Sequence, residues 1–304
     1  MRRVYIDFMG NRKYLFALSA VVIAISIGAL LIRGLNFGIE FKGGTTVVLP
    51  YKQGLTVETV RAELKAAGMT DAIVQPVQQG TTLDGFLVRS SISDTAKANA
   101  AFQSVASKLQ LDLKGTRAST IAPSYSKTIT DAALLALVLS IAAILVYISI
   151  RFEYKMSVTA VLALLHDGLI TIGIYALMGR EVTPNTIAAL LTILGYSLYD
   201  TIVVFHRIRE NSQHLVKQSF MEMANDSINQ VLARWVNTGL SSIIPVVVLL
   251  MFGGETLKDF AFALMVGLIS GAYSSVALAS PLYAMWKETE PRYQALKKKY
   301  AKAS

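Results

Sequence analysis

The chain has 304 residues, 53% of them hydrophobic and 16% charged, with a mean hydropathy of +0.49 and a formal charge of +9. A soluble protein of this size carries about a quarter charged residues, so the composition points to a membrane protein. The chain has no cysteine, which excludes disulfides, iron–sulfur clusters and thiolate metal sites, and its 3 histidines argue against a dedicated zinc centre.

Six apolar runs are long enough to span a bilayer core: Tyr14–Ile32, Thr130–Ile150, Met156–Met178, Asn185–Phe205, Trp235–Phe252 and Leu257–Met285. The first is too long for the apolar region of a signal peptide, and no clean small-residue cleavage pattern follows it, so it reads as a membrane anchor. Basic residues gather before the first run (Arg12, Lys13), between the second and third (Arg151, Lys155), between the fourth and fifth (Arg207, Arg209, Lys217, Arg234) and after the sixth (Lys287, Arg292, Lys297). The positive-inside rule then places both termini in the cytoplasm, in keeping with an even number of spans. It also accounts for the net charge without a nucleic-acid partner.

The connection from Arg33 to about Tyr125 is long and polar, and this topology puts it outside the cytoplasmic face. Thr45–Leu49 is β-branched and reads as a strand. Thr56–Gly68 reads as a helix capped by Thr56 and stopped by Gly68, with Val57, Val60 and Leu64 on one face. Asp71–Val77 and Phe86–Ser90 read as strands joined by a Gln79-Gly80-Thr81 turn. Ser93 or Asp94 caps a second helix to Leu109, with Phe102, Val105 and Leu109 on one side, and Gly115–Ile121 is a final strand. The order βαββαβ suggests a ferredoxin-like domain, and about 90 residues can bury a core without staples. The expected fold class is therefore an α-helical membrane protein of six transmembrane helices with one α+β ferredoxin-like periplasmic domain between the first and second. The divisions are 1–32 (cytoplasmic N-terminus and first helix), 33–125 (periplasmic domain), 126–286 (five-helix bundle) and 287–304 (basic cytoplasmic tail).

Two strings carry a family resemblance. Gly38-Ile39-Glu40-Phe41-Lys42-Gly43-Gly44 reads on its own as a structural loop whose glycines permit tight turns. It resembles the Gly-Ile-Asp-Phe-x-Gly-Gly signature of the SecD/SecF family, with Glu40 where Asp is usual. The 17-residue string from Gly195 to Asn211 resembles a family signature in the fourth span and the loop after it, with Tyr199 in place of Asn and His206 where Asp is frequent. Ser227-Ile228-Asn229-Gln230 with Arg234 resembles a third motif, and Ile121–Tyr125 departs from the family's usual Val-Gly-Pro run.

The resemblance implies a proton-driven export accessory of the RND superfamily in the bacterial inner membrane, one half of a pseudo-symmetric assembly with SecD. It would act with the SecYEG translocon, with YajC as a further partner and exported unfolded polypeptides as substrate. No cofactor is implied, the transported ion being protons, with sodium ions left open. Gly38, Glu40, Phe41, Gly43 and Gly44 carry over as family signature residues.

Charges inside spans cost about 2.5–3.5 kcal/mol each and need a reason. Asp200 lies in the fourth span, on a face shared by Tyr196, Val203 and Arg207. Arg234 reads by position as a topology anchor at the start of the fifth span. The resemblance makes Asp200 the proton-coupling acid and Arg234 its partner. Asp167, in the third span, reads equally as a second relay acid or as a hydrogen-bonding group between helices. His166 reads as a packing histidine whose titration range would suit proton handling. As sequence neighbours, these two point about 100° apart and are not expected to face one small pocket squarely. Tyr199 and His206 are expected to be two turns apart and out of direct contact, a paired change in the polar lining of the relay. Asp131 reads as a solvated helix-start acid.

Gly267, Gly271, Ser275 and Ala279 recur every fourth residue and form a smooth stripe that would pack a helix of this chain or of a partner. The segment from Arg207 to Ala233 is amphipathic and is expected to lie along the cytoplasmic membrane surface. No nucleotide-binding, nucleophile-elbow or zinc-protease motif is present, so an enzyme is not expected. An RND-type ion or small-molecule transporter half is the alternative, although efflux pumps carry two large external loops and this chain has one of modest size. A structural scaffold is the third reading, in which neutralising Asp200 changes assembly but not transport.

Overall fold

A computed structural model describes residues 5–79, 82–113 and 118–300. The expected turn at Gly80-Thr81, the start of the expected last strand at 115–117 and the tail residues 301–304 lie outside them. Among the described residues, six helices are long and apolar enough to cross a membrane.

The first, α1 (Arg12–Arg33), stops at Gly34, whose φ of 67° suits glycine and whose amide donates to the Leu30 carbonyl. A two-residue strand β1 (Asn36–Phe37) and a one-turn helix α2 (Ile39–Lys42) follow. The signature read as a loop is thus partly helical. Its last two glycines have φ of 80° and 145°, and a Cβ on Gly44 would strike the Ser90 carbonyl. Only glycine lets the chain turn from α2 into the sheet here.

The sheet domain comprises β2 (Gly44–Pro50), α3 (Val57–Ala66), β3 (Ile73–Gln79), β4 (Thr82–Ser90), α4 (Thr95–Leu109) and β5 (Ser119–Ile121). Thr56 caps α3 by accepting from the Thr59 amide at 3.2 Å, and Asp94 caps α4 by accepting from the amides of Ala96 and Lys97. The sheet order is β3-β4-β2-β5, antiparallel throughout. Val47 and Leu49 point inward while Val48 is 40% exposed, the alternation of a sheet covered on one face. Val60 and Leu64 of α3 and Phe102 and Val105 of α4 close the core over it.

Five further spans follow. Pro123 opens α5 (Pro123–Arg151), a position where its missing amide would have had no helical partner anyway. Helix α6 (Tyr154–Met178) ends at left-handed Gly179. The short β6 (Glu181–Val182) pairs in parallel with β1, and Thr183 and Thr186 form a capping box for α7 (Pro184–Gln213). Ser219 and Glu222 form another for α8 (Phe220–Phe252). The last span runs through α9 (Gly254–Ser274), a π-helical turn at Ser275–Ala279 and α10 (Ser280–Lys287). Pro281 has no amide to return to the turn before it, and the helix loosens there. The Ser280 hydroxyl bonds the Ser275 carbonyl at 2.7 Å and fills part of the gap. A basic helix α11 (Pro291–Tyr300) ends the described chain.

One expectation is corrected. The amphipathic segment does not form a helix of its own along the membrane surface; its two halves belong to the long helices α7 and α8. Arg234 accordingly sits near the middle of the 33-residue α8, directly before its apolar run. The physical reason is the Ser219–Glu222 capping box, which starts the helix well before the apolar run begins. This polar part of α8 also holds the N-terminal segment: the Asn225 side chain accepts from the Phe8 and Met9 amides, and that of Asn229 from the Ile6 amide.

Candidate functional site

The small-residue stripe packs within the chain. A Cβ on Gly267 would overlap Ile193, and one on Gly271 would come within 2.9 Å of the Ser197 Cβ, so α9 lies directly on α7. Beyond Gly271, the Ser275 hydroxyl lies 2.9 Å from that of Thr201. Gly271→Leu is therefore expected to force α7 and α9 apart and to lower the melting temperature in detergent by several degrees. An unchanged melting temperature would mean that the contact is not tight.

This close approach builds a polar centre between three apolar helices. Asp167 of α6 is fully buried. Its carboxylate accepts from Ser197 of α7 at 2.5 Å and from Ser270 and Ser274 of α9 at 2.6 and 2.7 Å. His166 Nδ1 lies 3.0 Å from the same carboxylate, and its ring stacks on Tyr273. His166 and Asp167 diverge as sequence neighbours on a helix do, and the imidazole turns toward its neighbour's carboxylate to span the divergence with one bond. His166 Nε2 is buried without a hydrogen-bond partner among the described residues.

A carboxylate in a dry bundle must be hydrogen-bonded to be tolerated there, and the three hydroxyls supply those bonds. A protonated Asp167 would itself donate, either to His166 Nδ1 where that nitrogen carries no proton or to a serine that turns its own hydroxyl away. The centre thus ties the protonation of one acid to the hydrogen bonding of α6, α7 and α9. Sequence reasoning misses the three serines as partners of Asp167. The available signal is Ser270 and Ser274 one turn apart beside the glycine stripe, each a polar group in an apolar helix that needs a partner.

Asp200 of α7 lies outside this centre. It is 7% exposed and lines a small cleft between α7 and α8 with Tyr199, Val203, Arg234, Trp235 and Thr238. Asp200 and Arg234 are therefore brought to one cleft, yet no hydrogen bond or ion pair joins them among the described residues. Arg234 is exposed, as are Tyr199 and His206, and His206 does not line the cleft. Asp131 is exposed on α5. The signature motifs of α7 and α8 meet each other nearby. Arg207 donates to Gln230 at 2.5 Å, and Asn211 donates to Ser227 and Gln230 at 2.8 and 3.0 Å.

The signature glycines sit at the other end of the bundle. Gly38 donates its amide to the Val182 carbonyl at 2.9 Å, extending the β1–β6 pairing. Glu40 Oε2 is buried without a hydrogen-bond partner among the described residues, and the ring of Phe41 meets that of Phe37 edge to face. Asp71 lines the cavity of about 330 Å³ at this joint, together with Lys42, Arg89 and Glu181. Burial pushes the Asp71 carboxyl up, but hydrogen bonds from Ser91 and Ser90 outweigh it and hold the group below the usual range.

Residues 101–289 match the family model for the C-terminal part of the protein export membrane proteins SecD/SecF, and residues 28–54 match the SecD/SecF GG motif. A protein translocase subunit SecF of Streptomyces coelicolor is 38% identical over 301 residues, covering 96% of this chain and 80% of that protein. The chain belongs to the SecD/SecF family. Another SecF, from Desulfurispirillum indicum, is 38% identical over 96% of this chain and 94% of its own length. The crystal structure of SecDF from Thermus thermophilus superposes with a TM-score of 0.83 at 34% identity. That match covers 94% of this chain but 39% of the solved one, so this chain spans about two fifths of the SecDF polypeptide. The SecD/SecF relationship accounts for both signature regions, the glycine turn of the joint and the α7–α8 contact.

Proposed function

We propose that this chain is the SecF half of a translocase accessory complex that uses the proton gradient to promote late steps of polypeptide export. The observation that carries the reading is Asp200: an acid closed off inside an apolar bundle, with no bonded partner among the described residues, on one cleft with Arg234. In low dielectric an isolated carboxyl tends to take a proton, whereas a neighbouring guanidinium favours ionisation. Arginine keeps its proton, so it serves as the fixed charge. Protonation from outside would release Asp200 from Arg234, and loss of the proton to the cytoplasm would draw them together. Asp167 is the second relay acid, with His166 beside it, while Tyr199 and His206 line the outer surface of the path.

In this reading both termini are cytoplasmic and the protein lies in the bacterial inner membrane. Residues 33–125 form a periplasmic domain, and its βαββαβ element order supports a ferredoxin-like fold. Residues 126–286 are the moving bundle and 287–304 the basic tail. SecD is the partner half, supported by the Thermus thermophilus relative named SecDF, of which this chain matches 40%. SecYEG, YajC and the exported unfolded polypeptide complete the assembly. The ion is the proton, and no other cofactor is required.

The orientation has a direct test, because the native chain has no cysteine. Exposed Ser91 follows β4 in the sheet domain, and exposed Lys217 lies between α7 and α8. Ser91→Cys should react with an impermeant thiol reagent in cells whose outer membrane is permeabilised, and Lys217→Cys should not. The reverse pattern would overturn the topology. The function is tested by reporter export in inverted membrane vesicles. Vesicles holding the chain and SecD should export faster when a proton gradient is imposed, and vesicles lacking the chain should lose that increment. A response to a sodium gradient alone would assign the other ion.

A further inference from the structure

The turn between α6 and α7 holds two charged residues in succession, and they reach in different directions. Arg180 pairs with Asp259 of α9 at 2.6 Å, and its guanidinium lies 4.1 Å from the centre of the Phe262 ring. Tyr175 at the end of α6 donates its hydroxyl to the Asp259 carbonyl. Glu181 is 3% exposed and pairs with Arg89 on β4 of the sheet domain, whose guanidinium also reaches Gln75 of β3 at 3.4 Å. One short turn thus grips the bundle on one side and the sheet domain on the other. The same α9 that holds Arg180 holds Asp167 through Ser270 and Ser274. Asp259 and Ser270 are joined by continuous helix, about 16 Å along its axis.

From this arrangement we infer that the α6–α7 turn is a clasp coupling the buried Asp167 centre to the sheet domain, with Arg180 and Glu181 as its positioning residues. The inference rests on the reading of the bundle as a proton-responsive machine. A change in the hydrogen bonding of Asp167 moves α9 relative to α6. Arg180 carries that movement to the turn, and Glu181 carries it to Arg89 and the sheet. The Glu181 side chain is nearly closed to water, so it does not exchange freely with solvent partners. The β1–β6 pairing and the one-turn α2 keep the domain from swinging independently.

The test measures the coupling itself, with spin labels on the cysteine-free chain reconstituted at full length in phospholipid nanodiscs. One label replaces exposed Asn99 on α4 and the other exposed Gln213 at the last residue of α7. Asp167→Asn, which fixes a neutral side chain at the centre, is expected to shift the distance distribution between them. With Glu181→Gln or Arg180→Gln added, the shift should be lost and the distribution should broaden. Exchanging the pair, Arg89→Glu with Glu181→Arg, should restore the shift, a rescue that a merely local structural role would not predict. Thermal melting of each variant establishes that it is folded. If the exchanged variant does not fold, Arg89→Lys, which keeps the charge pair, takes its place and should keep the shift. A shift that survives both clasp variants, or no shift on Asp167→Asn, overturns the inference. Since no export is measured, failure of the translocase reading would show separately, as vesicles indifferent to the gradient while the distance shift persists.

Discussion

Asp167→Ala is expected to destabilise the bundle by about 3–5 kcal/mol, in the range found when one member of a buried charged network is removed. The substitution deletes the acceptor shared by Ser197, Ser270 and Ser274 and leaves His166 Nδ1 without its partner. Each stranded buried donor costs about 1–3 kcal/mol. Ser274 can fall back on the Gly271 carbonyl, already 3.2 Å away, so the sum is smaller than four full penalties. Asp167→Asn keeps a carbonyl acceptor and is expected to lose less than half as much. Thermal unfolding in detergent decides the matter. Equal melting temperatures for wild type and the alanine variant would mean that the serines hold α9 by their own helix bonds and that the centre contributes nothing to stability.

Much of the architecture is legible in the sequence because membrane spans and strands announce themselves by period and length. All six spans and the order of strands and helices in the sheet domain follow from runs of apolar residues, β-branched segments and the Thr56 and Asp94 caps. The ends of the long helices are not legible in that way. Hydropathy marks where lipid stops, and α7 and α8 continue past that point because polar caps and the contacts of Asn211, Ser227 and Gln230 hold them. The clasp is invisible for a different reason. Glu181 and Arg89 are 92 residues apart, and no local pattern states that a short turn will meet a strand of the sheet domain.

The candidate site divides in the same way. Asp200 and Arg234 are found by the cost of charge in a span and by the motif, and the fold brings them to one cleft. Asp167 is found as a residue but not as a centre, since its meaning depends on serines from two other helices. The glycine stripe is readable as close contact, and only the fold assigns that contact to α7.

The central claim is that Asp200 is the group whose protonation drives export. Asp200→Asn holds the side chain permanently in the uncharged form with almost no change in size. The variant should fold and assemble, because no hydrogen bond of the described residues depends on the carboxylate. Arg234→Lys keeps the charge but loses the planar fork of the guanidinium, so it should retain part of the activity. The deciding measurement is reporter export in inverted vesicles with SecD present, with and without an imposed proton gradient. Wild-type vesicles should gain from the gradient, and Asp200→Asn vesicles should export at the gradient-free rate of the wild type under both conditions. If Asp200→Asn vesicles respond to the gradient as the wild type does, Asp200 is not the coupling acid.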